Sequence, residues 1–238
     1  MSLCRYLCVQ NPKTRKGEKF RYLSGILHLA PASLSGVNVC AYSTAGCREA
    51  CLNTAGRGRF ARTQKARIRK TRLLFEDRAA FIDQIFADVR SFCRKADRVG
   101  LTPCVRLNGT SDLPWLAHAV APSFPEVQFY DYTAIPKIWE RMLPNYHLIY
   151  SLKETHASLL AALATLRRGY NVAVVFDVKK GDPLPQSFYG FKVTDGDLSD
   201  LRFLDEPGTV TGVRAKGKAK KDCSGFVQST LVQIARAA

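Results

Sequence analysis

The apolar positions of the chain fall in short runs separated by longer amphipathic stretches. GILHLAP at 25–31 is a compact apolar run closed by proline, which predicts a buried strand. TPCVRLNG at 102–109, VQFYDYT at 127–133, HLIYSLK at 147–153 and NVAVVFDV at 171–178 predict further strands. The last has no polar break before Asp177, as expected of a strand covered on both faces. Helical spacing fills the gaps. Phe60, Ile68 and Phe75 stand at offsets of eight and seven and predict one face of a helix over 60–75. Ala80, Ile82, Ile85, Phe86, Val89, Phe92 and Cys93 give a wide apolar stripe to a second helix over 78–96. An alanine- and leucine-rich helix over 156–168 is closed by Gly169. GFKVTDGDLSDLRF and GTVTGVRAKG supply the last strands.

Short strands separated by helices or long crossovers define an α/β fold with a parallel sheet. About six core strands suit an open or partial barrel as well as a doubly wound sheet. The expectation is a single-domain TIM-like or partial (β/α)6-type barrel over residues 1–238, with a cysteine loop at 36–59 and a basic segment at 214–221. No internal repeat or dividing linker interrupts it. Composition agrees: 238 residues with 46% hydrophobic content bury a sizeable core. No run of 18 apolar residues suggests a membrane span, and the start lacks the apolar stretch of a secretory signal. A cytoplasmic location with reduced thiols is therefore expected for the eight cysteines.

Three of those cysteines stand apart. Cys40, Cys47 and Cys51 lie in VNVCAYSTAGCREACLNTAGRGR with the spacing C-x6-C-x3-C. A loop rich in Gly, Ser and Ala lacks the apolar neighbours of ordinary core cysteines. Thiolates this close in a reducing compartment indicate a metal or a cluster. Three ligands leave a position on a zinc ion or a four-iron cluster for a substrate, a water or a distant side chain. Cys8, His28 and Cys223 are candidates for that fourth ligand; Cys93 and Cys104 sit in apolar patterns as small buried residues.

Charge adds a second theme. The chain carries a net +16, of which +13 comes from RGRFARTQKARIRKTR at 57–72 and RAKGKAKK at 214–221, neither containing an acid. Local patches of this kind attract phosphates and nucleic acid, or simply solvate a surface.

The predicted strand ends are unusually polar. In parallel α/β folds the carboxyl ends of strands form the site. Arg106, Asn108, Thr110, Ser111 and Asp112 follow one strand; Asp131 ends the next; Ser151 and Lys153, Asp177, and Lys216 end three more. The cysteine loop would open on the same face, so these groups would ring one polar mouth. Asp112 equally suits the cap of a helix starting near Leu113. Asp131 and Asp177 lie in apolar runs, where a carboxylate needs a partner or a mouth position. Asp195, Asp197 and Asp200 lack calcium-loop spacing and read as turn residues.

The blocks GCREACLNTAGRG, VRLNGTSDLPW, VQFYDYT and FKVTDGDLSDLRFLDEPG resemble an uncharacterised family of tailed-phage proteins over nearly the whole chain. The resemblance implies expression in a bacterial host cytoplasm and brings no established activity. In architecture, a three-cysteine loop after the first strand of a partial barrel is similar to the radical S-adenosylmethionine enzymes. That similarity implies a [4Fe-4S] cluster on Cys40, Cys47 and Cys51. It also implies a methionine-amine contact from Asn108, Thr110, Ser111 and Asp112. The usual motif of that superfamily is C-x3-C-x2-C with an aromatic residue before the last cysteine, where this chain has Ala50.

Two functions follow as expectations. One is an iron–sulfur enzyme in which S-adenosylmethionine binds the open iron and basic residues such as Arg57, Arg59 and Arg62 hold an anionic substrate. The other is a non-catalytic nucleic-acid-binding protein stabilised by a metal, with zinc the alternative to the cluster.

Overall fold

Residues 5–9 and 12–229 are described by the computed structural model. Cys4 lies outside them. The elements in chain order begin with β1 (Leu7–Cys8), α1 (Pro12–Gly17) and β2 (Tyr22–Leu27). The cysteine loop follows and holds the short helix α2 (Ala45–Glu49). Next come α3 (Ala61–Glu76), α4 (Arg78–Arg98), β3 (Thr102–Arg106), α5 (Pro114–Val120) and β4 (Gln128–Thr133). The chain ends with β5 (Tyr146–Ser151), α6 (His156–Arg167), β6 (Val172–Phe176), β7 (Ser187–Phe188), β8 (Phe191–Asp195) and β9 (Val210–Arg214).

The strands form one sheet of order β1-β2-β3-β4-β5-β6-β9-β8-β7. Pairing from β2 through β9 to β8 is parallel, and only the two-residue strands β1 and β7 pair antiparallel, one at each edge. The sheet is open, so the expected TIM-like closure is corrected. The strand order advances from β2 to β6 without the reversal of a doubly wound sheet, yet each edge is occupied by its own short antiparallel strand. Edge strands this short leave little backbone for further pairing.

Alternation along the strands sorts the two faces. Leu23 and Leu27 of β2, Val105 of β3, Phe129 of β4, Leu148 of β5 and Val174 of β6 are buried against Phe81, Ile85, Val89 and Phe92 of α4, Leu116 of α5 and Leu166 of α6 in one core. The α4 stripe is the one the sequence pattern predicts. The α3 pattern is not: Phe60 and Phe75 are exposed, and α3 buries Arg67, Thr71 and Leu74 instead. These three lie at i, i+4 and i+7, so the helix turns its polar–apolar seam inward. Thr71 Oγ1 there accepts the Ala30 N–H at 2.8 Å.

The opposite face carries Ser24, Cys104, Arg106, Tyr130, Tyr132 and His147 at the alternate positions. It is covered by the turn at Arg202–Leu204, which lies between β8 and β9. Phe203 packs on the rings of Tyr22 and Tyr130, and Arg202 is 1% exposed. This second layer is short and polar. It leaves the carboxyl ends of the strands uncovered.

Candidate functional site

A cavity of about 230 Å³ opens at those carboxyl ends. Its lining draws on β3, β4, β5, β6 and β9, on the loop after β8 and on the cysteine loop. Cys40, Cys47 and Cys51 all face it. Burial pushes the Cys40 thiol up to about 11 and Cys47 up to about 12, the latter with help from its two cysteine neighbours. Cys51 is also raised by burial, against the pull of the Arg67 guanidinium. The thiols of the ligand-free chain are thus protonated at neutral pH, and any metal that binds must displace their protons. Among the described residues no three His, Cys, Asp or Glu side chains gather as tightly as a single ion requires. The three thiols share one cavity without meeting at one point.

The loop that presents them is held from three directions. Thr44 caps α2 by accepting the Cys47 N–H, and the Glu154 carboxylate accepts from the Thr44 hydroxyl at 2.6 Å and the Gly46 N–H at 2.9 Å. A negative group at an N–H of a helix's first turn satisfies an otherwise orphaned donor. Gly46 has no room for a side chain: an added Cβ would collide with Ser224 Oγ and stand 2.9 Å from Glu154 Cδ. On the second side, Lys153 Nζ donates to the carbonyls of Tyr42 and Ala134. On the third, Asn53 and Gly58 are tied to Gln64 and Arg67 of α3. The basic helix therefore buries one of its arginines directly behind Cys51.

The segment after β3 enters the cavity in a particular way. Asn108 accepts from the Ser111 hydroxyl and the Leu113 N–H, and donates to Leu113 O and Asp131. Thr110 donates to Leu29 O at 2.6 Å. These three side chains line the cavity with their hydrogen bonds spent on shaping the loop. Asp112 differs. It does not cap α5, which has no side-chain cap; its Oδ2 accepts the Ala134 N–H across the sheet at 2.8 Å. Its Oδ1 is buried with no protein partner. Burial raises the Asp112 carboxyl above the usual range, opposed by Thr133 and Ala134. The same carboxylate lies near enough to Cys40 to raise its thiol.

The remaining sequence-predicted residues divide. Arg106, Ser151 and Lys216 line the cavity. Asp131 and Lys153 do not: both are buried beneath the mouth as braces, Asp131 accepting from Asn108 and Tyr146. Asp177 is a correction, because β6 ends at Phe176 and the next side chain turns out to solvent. Arg57 and Arg59 are exposed outside the cavity. Of the fourth-ligand candidates, Cys8, His28 and Cys223 all lie off the cavity lining. Arg214 and Lys216 of the second basic segment are neutralised by Asp195 and Asp197, with Arg214 2.9 Å from Asp195 Oδ2. The aspartates read as turn residues are thus the partners of those cations. Sequence reasoning missed Glu154, one residue past the Lys153 it named, and the lining residues Ala219 and Phe226; Tyr132, next to the Asp131 it named, also lines the cavity.

An open, mostly parallel α/β sheet with a thiol-lined cavity at its strand ends defines the class of protein. The chain belongs to the gene product 88 family, whose model matches residues 1–229. This agrees with the phage-protein resemblance of its sequence blocks. No curated protein and no solved structure matches it. Among the described residues no helix is long and apolar enough to cross a membrane.

Proposed function

We propose that the chain is an iron–sulfur protein whose Cys40, Cys47 and Cys51 hold a [4Fe-4S] cluster beside a ligand cavity, and that S-adenosylmethionine occupies the position left open. The observation that carries this reading is the pairing of three cavity-facing thiols with Asp112 Oδ1, a buried oxygen lacking a partner close to Cys40. A single zinc ion with Zn–S bonds of 2.3 Å draws thiolates to about 3.8 Å of one another. A cluster takes each thiolate on a separate iron, so thiols that share a cavity without converging suit it better.

When bound, the cluster would supply one electron for reductive cleavage of the sulfonium. The chain's own residues do the rest. Arg67 behind Cys51 and Lys153 near Cys47 favour the thiolate forms. Asp112 would hold the ligand's ammonium through Oδ1, with its Oδ2 fixed by the Ala134 N–H. Ala134, Leu152, Ala173, Val175 and Val213 exclude water from the middle of the cavity, leaving the Ser151 hydroxyl and the ion-paired Arg106–Asp200 and Lys216–Asp197 groups to face a substrate. The advancing strand order with a cysteine loop after its first parallel strand supports the partial-barrel architecture expected for such chemistry.

The test is iron, sulfide and zinc content with absorption and EPR spectra on anaerobically purified protein. About four irons and four sulfides per chain are expected, with loss of both in Cys40→Ala. Asp112→Asn is expected to keep the cluster and weaken S-adenosylmethionine binding about tenfold, the loss of one charge-assisted contact. Zinc alone in the wild type, or a full cluster in Cys40→Ala, would overturn the reading.

A further inference from the structure

The two basic segments, far apart in sequence, adjoin in the fold. Arg62, Lys65, Arg69 and Arg72 recur at i, i+3, i+7 and i+10 along the exposed face of α3, a stripe of about 15 Å at 1.5 Å per residue. Arg57 and Arg59 extend it across the preceding turn, and all six are exposed. Among the described residues none of the six has an acidic partner within ion-pair distance. The stripe ends at Glu76, on the side away from the cavity.

Its other end meets the turn at Gly217–Lys221. The Lys218 N–H donates to Thr54 Oγ1, and a Cβ on Gly217 would stand 3.0 Å from Ala55 Cβ. Lys218, Lys220 and Lys221 are exposed there, whereas Ala219 between them lines the cavity. Leu52, on the neighbouring turn, also lines the cavity and is 44% exposed, which marks the mouth. Cations therefore recur from Arg72 to the cavity rim, and neither 57–72 nor 214–221 contains an acid. Phe60, 54% exposed with Arg59 at 5.9 Å from its ring centroid, stands in the middle of the track.

Unpaired cations in a line answer a polyphosphate backbone. An exposed aromatic ring among them answers an unstacked base, which a duplex does not offer. We propose that single-stranded nucleic acid lies along α3 and the 217–221 turn and passes the cavity mouth, so that it is the substrate class of the cavity. As a statement about substrate it rests on the iron–sulfur reading; the contact itself is measured without it.

The experiment is fluorescence anisotropy of end-labelled 20-nucleotide DNA and RNA single strands and of a 20-base-pair DNA duplex, titrated with the full chain between 50 and 200 mM salt. A single strand is expected to bind at least tenfold more tightly than the duplex, and the better of the DNA and RNA arms identifies the source. Each lost phosphate contact lowers the log–log salt slope by about 0.7 for single strands. The triple variant Arg62→Glu, Lys65→Glu, Arg69→Glu should therefore weaken binding at least tenfold and flatten the slope by about 2. Phe60→Ala should weaken binding severalfold at an unchanged slope. The variant Lys218→Ala, Lys220→Ala, Lys221→Ala reports the mouth end and carries the test should the helix variant not fold. Iron and sulfide in the helix variant are expected at the wild-type level, which separates this proposal from the cluster reading. No binding at 50 mM salt, preference for the duplex, or wild-type binding by both charge variants would overturn it.

Discussion

Asp112 and Asn108 stand four residues apart on the same cavity wall, and their hydrogen bonds give them different work. Every polar atom of the Asn108 side chain is occupied within its own loop or by Asp131. One oxygen of Asp112 is not. A buried acceptor with no partner costs on the order of 1–3 kcal/mol, so its retention points to a ligand that satisfies it. His147 shows the same cost in another form. Its Nε2 is buried without a partner on the polar face of the sheet, and burial together with Arg202 lowers its pKa to about 4. Between that value and the ordinary 6.5 the unfolded chain binds a proton that the folded chain refuses, so stability falls as pH falls through this window. His147→Gln is expected to remove about 1–2 kcal/mol of the loss between pH 7 and pH 5. Urea midpoints of the two proteins at both pH values check this; equal losses would refute it.

Among the elements, α2 is the least self-sufficient. Five residues close barely one helical turn and cannot hold a helix by propensity. Its position comes from the Thr44 cap and from Glu154, brought in by the end of β5. Glu154→Ala removes the acceptor for both Thr44 and Gly46. Loss of a cap of this kind costs about 1–2 kcal/mol. Amide exchange over 45–49 should quicken about five- to thirtyfold, and the urea midpoint of the whole chain should move little, because α2 adds almost nothing to the main core. A global loss of stability with unchanged local exchange would refute it. The α3 helix illustrates the opposite case. Its existence is legible from length and spacing, but its buried face is not, because the loop it braces requires Arg67 and Gln64 rather than Phe60 and Phe75.

At the scale of the molecule, the turn between β8 and β9 substitutes for closure of the sheet. Arg202 enters the polar face, pairs with Asp205 at 3.2 Å and donates to Ser199 O, with Tyr132 close by. Asp200 of the same turn reaches Arg106 at 3.3 Å. Removal of one member of a buried ionic group leaves an uncompensated charge and costs about 3–5 kcal/mol. Arg202→Ala is expected to fall in that range by urea denaturation. Arg202→Met, of similar volume but also lacking the charge, should lose less because it leaves no void. Equal stability of Arg202→Ala and wild type would show that the turn does not carry the inner layer.

The sequence by itself determined the elements that depend on local chemistry. Short apolar runs marked β3 to β6, the apolar stripe marked α4, and Gly169, at φ +82°, ended α6. It also determined the chemical material of the site, since a loop with Cys40, Cys47 and Cys51 and strand ends with Arg106, Asn108, Ser151 and Lys216 are visible before any fold is known. Only the tertiary structure decided which of these groups face the cavity. Asp177 left the site because its strand stopped one residue earlier. Asp131 and Lys153 became braces because longer-range partners claimed their polar atoms. Arg214 and Lys216 lost their free charge to Asp195 and Asp197, and the other basic segments became one surface. Periodicity reports how a segment meets its immediate surroundings. Which carboxylate reaches which cation is set by the packing of segments distant in sequence, and no local pattern encodes it.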